Sequence, residues 1–188
     1  RMHLKIHNSY IRSLGVLLVL FFLNSCQCSG QEPAKSPRQQ RNPSEEHIQH
    51  QRDFLKKERE SIKAYLKDRK LEVKRSGTGL YYQILQDSSA QEQVATEDEV
   101  VFDYSIYMLN GSLLYTSEGN SPRTLVIDRE DAEIGLHESL KLLGLGDKGL
   151  FILPSHLAFG VAGDQNKVPP KTALVYELKI LKITKSKS

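Results

Sequence analysis

Residues 100–117 read VVFDYSIYMLNGSLLYTS. Phe102, Tyr104 and Ile106 alternate with Asp103, Ser105 and Tyr107, and a period of two marks a strand with one face buried. Asn110-Gly111 divides the run, and because both residues tolerate positive φ the pair predicts a hairpin. Working outward, LEV (71–73), LYYQIL (80–85), TLVI (124–127), LFIL (150–153) and TALVYELKILKI (172–183) are further strand-like runs separated by turn residues. One helical pattern interrupts them over 132–143, with Ile134, Leu136, Leu140 and Leu143 assigned to its apolar face. A sheet and a helix that each bury one face against the other make an α+β domain: a curved antiparallel half barrel wrapped around one α-helix.

The stretches LGLGDKGLFILPSHLAFGVAG (143–163) and VPPKTALVYELKILKI (168–183) carry a resemblance. A G-x-G turn, a strand ending in Leu-Pro, an A-F-G bend, a glycine-containing flap, a V-P-P step and a final strand beginning T-A-L-V-Y stand in the order of the FK506-binding-type peptidyl-prolyl isomerases. Residues 76–184 are similar to that family throughout. The resemblance implies a prolyl cis-trans isomerase acting on proline-containing unfolded or exported proteins, with no cofactor, no metal and no covalent or acid-base residue. Carried over by position, the substrate-binding residues would be Tyr104, Leu114, Tyr115, Leu136, Phe159, Val168 and Tyr176. Tyr104, Val168 and Tyr176 keep the family's character. Leu114 stands where the family usually has Phe and Leu136 where many members have Trp, so both read equally as pocket or as core.

Two departures bear on activity. Tyr115 replaces the usual Asp, and Phe159 lacks the hydroxyl of the usual Tyr. Each missing hydrogen bond is worth about 1 kcal/mol, so the pair would weaken turnover by roughly ten- to a hundredfold without abolishing it. Prolyl isomerisation has a barrier of ~18–20 kcal/mol and needs no nucleophile. Stripping water from the imide in an apolar, shape-matched pocket favours the twisted state, so an apolar pocket preferring an apolar residue before proline is expected. A pocket altered at 115 and 159 leaves a second reading open, a chaperone or scaffold on the same fold.

The chain's other end reads differently. Ser13 to Leu23, SLGVLLVLFFL, follows a basic start and is shorter than the ~20 residues that span a bilayer. It has the form of a signal-peptide core, and Arg1 ahead of Met2 reads as a translated frame preceding the start. Leu23-Asn24-Ser25-Cys26 resembles the lipobox of bacterial lipoproteins, which implies cleavage after residue 25 and lipidation of Cys26. Several acyl chains there would tether the protein to a membrane, and a periplasm-facing position on the outer membrane is the favoured placement. With this leader the whole chain resembles the gliding-motility-associated lipoprotein isomerases of Bacteroidetes.

Four segments follow: a signal peptide (1–25), a lipidated and disordered tether (26–43) rich in Gln, Ser, Pro and Arg, a charged amphipathic helical arm (44–71), and the isomerase-like domain (72–188). Ser44 is the expected cap of the arm, with Glu45 and Glu46 in its first turn. Ile48, Leu55 and Ile62 recur every seven residues, a stripe that packs on the chain's own domain or forms a homodimer seam. Residues 26–75 carry 13 Lys and Arg against 8 Asp and Glu, while 76–188 carry 10 against 15. The mature chain is therefore formally neutral, which argues against nucleic acid as its partner. Cys26 and Cys28 are the two cysteines, too few for a disulfide framework or a zinc cluster. His47 and His50 lack a nearby third ligand.

Overall fold

The computed structural model describes residues 43–89 and 92–187. The expected signal peptide, Cys26, Cys28 and nearly all of the expected tether lie outside the described residues. The first element is α1, Pro43–Asp68, followed by β1 (Lys74–Arg75), β2 (Tyr81–Gln86), β3 (Glu99–Met108), β4 (Leu113–Thr116) and β5 (Arg123–Val126). Then come α2 (Ile134–Lys141), β6 (Lys148–Leu153), a 3₁₀ turn (Ser155–Leu157) and β7 (Leu174–Thr184). All strand pairs are antiparallel, in the order β1-β2-β6-β7-β3-β4, with β5 also on β3.

The long strand β3 organises the sheet. It pairs with β7 along its whole length, from Glu99↔Thr184 to Met108↔Leu174. Its other edge is shared: Glu99–Phe102 take β5, and Ser105–Tyr107 take β4. The hairpin between β3 and β4 is not a two-residue turn. Gly111 N–H donates to Met108 O at 2.9 Å, and Gly111 alone of the pair has positive φ, +88°. Asn110 instead uses its side-chain Oδ1 to accept from Ser112 N–H. A wider turn closed by glycine, with a register shift between Ile106 and Tyr107, is the bulged form of this connection.

One face of the sheet wraps α2. Phe102, Ile106, Leu125, Leu140, Leu143, Phe151, Tyr176 and Leu178 belong to that core. Leu143 lies just past the helix, whose C-cap is Leu142. Ile134 was assigned to the buried stripe, yet it is 68% exposed. At 3.6 residues per turn it stands about 200° around the helix from Leu136, facing solvent.

The other face is half covered by α1. Ile62 is buried against Tyr81, Leu150, Ile152, Ala173 and Val175, with Tyr65, Leu66, Leu71 and Val73 beside it. Two-sided burial explains why LFIL and ALVY run apolar without alternation. Glu58 Oε1 accepts from Ser155 N–H at 2.8 Å, and Lys171 Nζ lies 5.2 Å over the Phe54 ring. The remainder of the stripe is unpartnered: Ile48 is 50% and Leu55 42% exposed. Thus the arm from about Phe54 onward braces its own domain, while residues 44–50 are exposed. The five ion pairs among the described residues all lie within the C-terminal domain, so ion pairing does not hold α1 there.

The ends of α1 differ from the pattern expected at its start. The helix opens at Pro43, so Ser44 is inside it; proline suits a first helical position because its missing N–H would have no partner there. At the other end Leu71 N–H donates to Leu66 O and Lys70 N–H to Lys67 O, with Lys70 at φ +53°. These bonds form a Schellman stop with lysine in the position glycine usually takes. LEV (71–73) is not a strand; pairing begins with the two residues of β1.

Candidate functional site

A cleft of about 500 Å³ opens at the mouth of the half barrel. Tyr104 and Ile106 of β3, Tyr115 of β4 and Arg123 of β5 form one side, and Asp131, Ala132 and Glu133 lead into α2 on another. Ala158 and Phe159 follow the 3₁₀ turn, and Asp164 comes from the flap that precedes β7.

Of the seven residues expected to bind substrate, Tyr104, Tyr115 and Phe159 line this cleft. Leu114, Leu136, Val168 and Tyr176 are buried in the core behind it. Leu114 is 8% and Leu136 1% exposed, so neither side chain reaches the cleft surface. Tyr176 supports the floor from below: its hydroxyl donates to Glu133 Oε1 at 3.1 Å, and burial, followed by the Glu133 carboxylate, pushes its phenol well above the ordinary tyrosine value.

The flap is held by its own side chains. Asp164 Oδ1 accepts from the backbone N–H of Asn166 at 2.9 Å and of Val168 at 2.7 Å. The Tyr115 hydroxyl donates to Asp164 Oδ2. Lys167 Nζ donates to Leu114 O at 2.9 Å and sits 4.9 Å over the Tyr115 ring. Gly163 lets this loop close: at φ +68° it has no side chain where a Cβ would stand 2.2 Å from Val168 O. Partial burial raises the Asp164 carboxyl, but the Tyr115 hydroxyl and the two backbone donors outweigh it and hold the carboxyl below its usual value. The same bond to Asp164, and then burial, raises the Tyr115 phenol. Tyr115 thus fills the position of the family's acid by bonding to an acid on the flap.

The walls are not uniformly apolar, as the sequence reading had them. Arg123, Asp131, Glu133 and Asp164 bring four charged side chains to the lining. Sequence reasoning missed all four, together with Ile106, Ala132 and Ala158. Glu133 is the N-cap residue of α2, yet its side chain makes no cap bond. It turns inward to Tyr176, while its other oxygen, Oε2, is buried without a hydrogen bond and lies 4.0 Å from Arg123 Nη1. No motif links residues 123, 133 and 176; only the fold brings them together. Among the described residues no group of three or more His, Cys, Asp or Glu is placed to hold a metal ion. No described helix is long and apolar enough to cross a membrane.

The cleft thus opens at the mouth of a half-open antiparallel sheet wrapped around one helix. Residues 90–181 match the family described as FKBP-type peptidyl-prolyl cis-trans isomerase. Over 131 residues it is 29% identical to a probable FKBP-type peptidyl-prolyl cis-trans isomerase, FkpA, of Neisseria meningitidis, covering 68% of this chain and 47% of that protein. The chain thus spans about half the length of that relative. It is 26% identical over 113 residues to FK506-binding protein 1B of Aspergillus fumigatus, covering 56% of this chain and 94% of that protein. The crystal structure of FkpA from Escherichia coli superposes with a TM-score of 0.60 at 23% identity, covering 96% of this chain and 74% of that one, a likeness of fold.

Proposed function

We propose that the chain accelerates cis-trans isomerisation of X-Pro bonds in exported proteins, binding the prolyl segment between Tyr104, Tyr115 and Phe159. The observation carrying this reading is the cleft lined by Tyr104, Tyr115 and Phe159 within the stretch 90–181 that matches the isomerase family. Ring faces take the pyrrolidine and exclude water from the imide, which lowers the double-bond character of its C–N bond. The side chains need only bind the twisted form better than either planar one.

The leader supports placement on the cell envelope through lipid at Cys26, facing the periplasm and on the outer membrane. Association with gliding motility rests on the resemblance of the whole chain. The exposed Ile48 and Leu55 supply either a grip on unfolded clients or a seam for a second copy. One observation favours a binding module without turnover: Phe159 has no hydroxyl, and the only hydrogen of the Tyr115 hydroxyl is directed to Asp164.

The test is proline-limited refolding of a model protein with the chain from residue 26 onward. A refolding phase that quickens in proportion to added chain supports the isomerase reading. Suppressed aggregation with an unchanged slow phase supports the binding module.

A further inference from the structure

Among the residues lining the cleft Arg123 is the only cation, and no described group hydrogen-bonds to its guanidinium. Its side chain is 34% exposed, so the guanidinium stands at the wall instead of reaching into bulk water. Glu133 Oε2, on a side chain only 8% exposed, lies 4.0 Å away, close enough to attract the guanidinium and too far to accept a hydrogen bond. The other Glu133 oxygen is fixed by Tyr176, so the carboxylate is anchored from beneath. The arrangement positions a cation without using its donors. Five N–H groups in a planar fork remain for a ligand, and that fork matches a carboxylate.

We infer that Arg123 sets substrate choice, directing the cleft to prolines that have an acidic residue beside them. This rests on the reading that the cleft binds X-Pro segments, and it replaces the apolar preference expected from the sequence. Charges of the opposite sign are present but poorly placed to compete. Glu133 Oε2 is buried out of reach, and Asp164 is occupied by Tyr115 and two backbone N–H groups. Asp131 is exposed, where water and salt screen its pull on a basic residue.

The experiment compares three peptides that differ only in the residue before proline: Glu, Leu or Lys. For the unmodified chain, kcat/KM for Glu-Pro exceeds that for Lys-Pro by about tenfold, the scale of one charge-assisted contact. The ratio shrinks as salt rises from ~0.1 to ~1 M. Arg123→Gln brings the ratio to one or below, and Arg123→Lys leaves an intermediate value because charge survives without the fork. The double variant Arg123→Gln/Glu133→Gln removes both charges while keeping an acceptor for Tyr176, so it reads the same loss if Arg123→Gln does not fold. A ratio near one in the unmodified chain, or a preference for Lys-Pro, overturns the inference. If no peptide is turned over, the isomerase reading fails separately, and NMR titration of the same peptides decides this one. Tighter Glu-Pro than Lys-Pro binding supports it, and equal affinities overturn it.

Discussion

Replacing Ile62 by alanine tests whether the helix before the domain is part of its structure. Ile62 is 1% exposed and presses on Tyr81, Leu150, Ile152 and Val175, on the sheet face opposite α2. Alanine removes three carbons, worth about 2.4 kcal/mol at ~0.8 kcal/mol per buried methylene. The cavity left between a helix and a stiff sheet raises this to roughly 3–4 kcal/mol. Against a total stability of ~5–15 kcal/mol, such a loss moves the urea midpoint well outside measurement error. Ile48→Ala is the control: the same chemistry on the same helix at a residue 50% exposed, expected to change stability by less than about 0.5 kcal/mol. Urea unfolding followed by tyrosine fluorescence reads both. Equal midpoints for the two variants would refute the brace. Removing the whole arm through residue 70 would accordingly expose the second apolar cluster and weaken the domain.

Other outcomes follow from the same geometry. Lys70→Gly relieves a lysine held at φ +53° and should raise stability by about 0.5–1 kcal/mol, read as a higher Tm. Asp98 is 2% exposed; burial raises its carboxyl, but Lys185 and the N–H groups of Ala95 and Ser186 outweigh that and leave it lowered. A lowered carboxyl contributes stability above its unfolded value of ~3.9 and loses it as pH falls through the folded value. Acid titration by NMR should therefore release the Ser186 amide only below the ordinary aspartate range; release at or above ~4 would contradict the assignment. Asp164→Ala removes the acceptor shared by Tyr115, Asn166 and Val168, so hydrogen exchange at the latter two amides should quicken while that of β7 stays slow.

The strands were legible because Phe102, Tyr104 and Ile106 alternate with polar residues, and the hairpin because Asn110-Gly111 interrupts them. What the sequence did not carry was the second face. LFIL and ALVY look alike whether one or both sides are covered, so only the packed position of Ile62 shows that α1 is a brace and that Ile48 and Leu55 are not. At the site, positional likeness found the aromatic walls Tyr104, Tyr115 and Phe159. It left Leu114 and Leu136 open between pocket and core, because an apolar residue on a strand or helix serves either with the same chemistry, and the structure buries both, with Val168 and Tyr176, behind the walls. Arg123 was invisible because it is a lone charge in a turn-rich stretch and Glu133 because it is one of five charges in DREDAE (128–133), and their pairing depends on Glu133 turning inward instead of capping α2.

The most direct test of the proposed activity is the exchange rate between cis and trans forms of a short X-Pro peptide, measured by NMR with substoichiometric chain. The account predicts acceleration linear in chain concentration. Phe159→Ala should diminish it, and Phe159→Tyr should increase it by returning a hydroxyl to the cleft. A peptide whose resonances shift on binding while its exchange stays at the uncatalysed rate, with Phe159→Tyr and Tyr115→Asp together restoring nothing, would contradict it and leave a binding module on an isomerase fold.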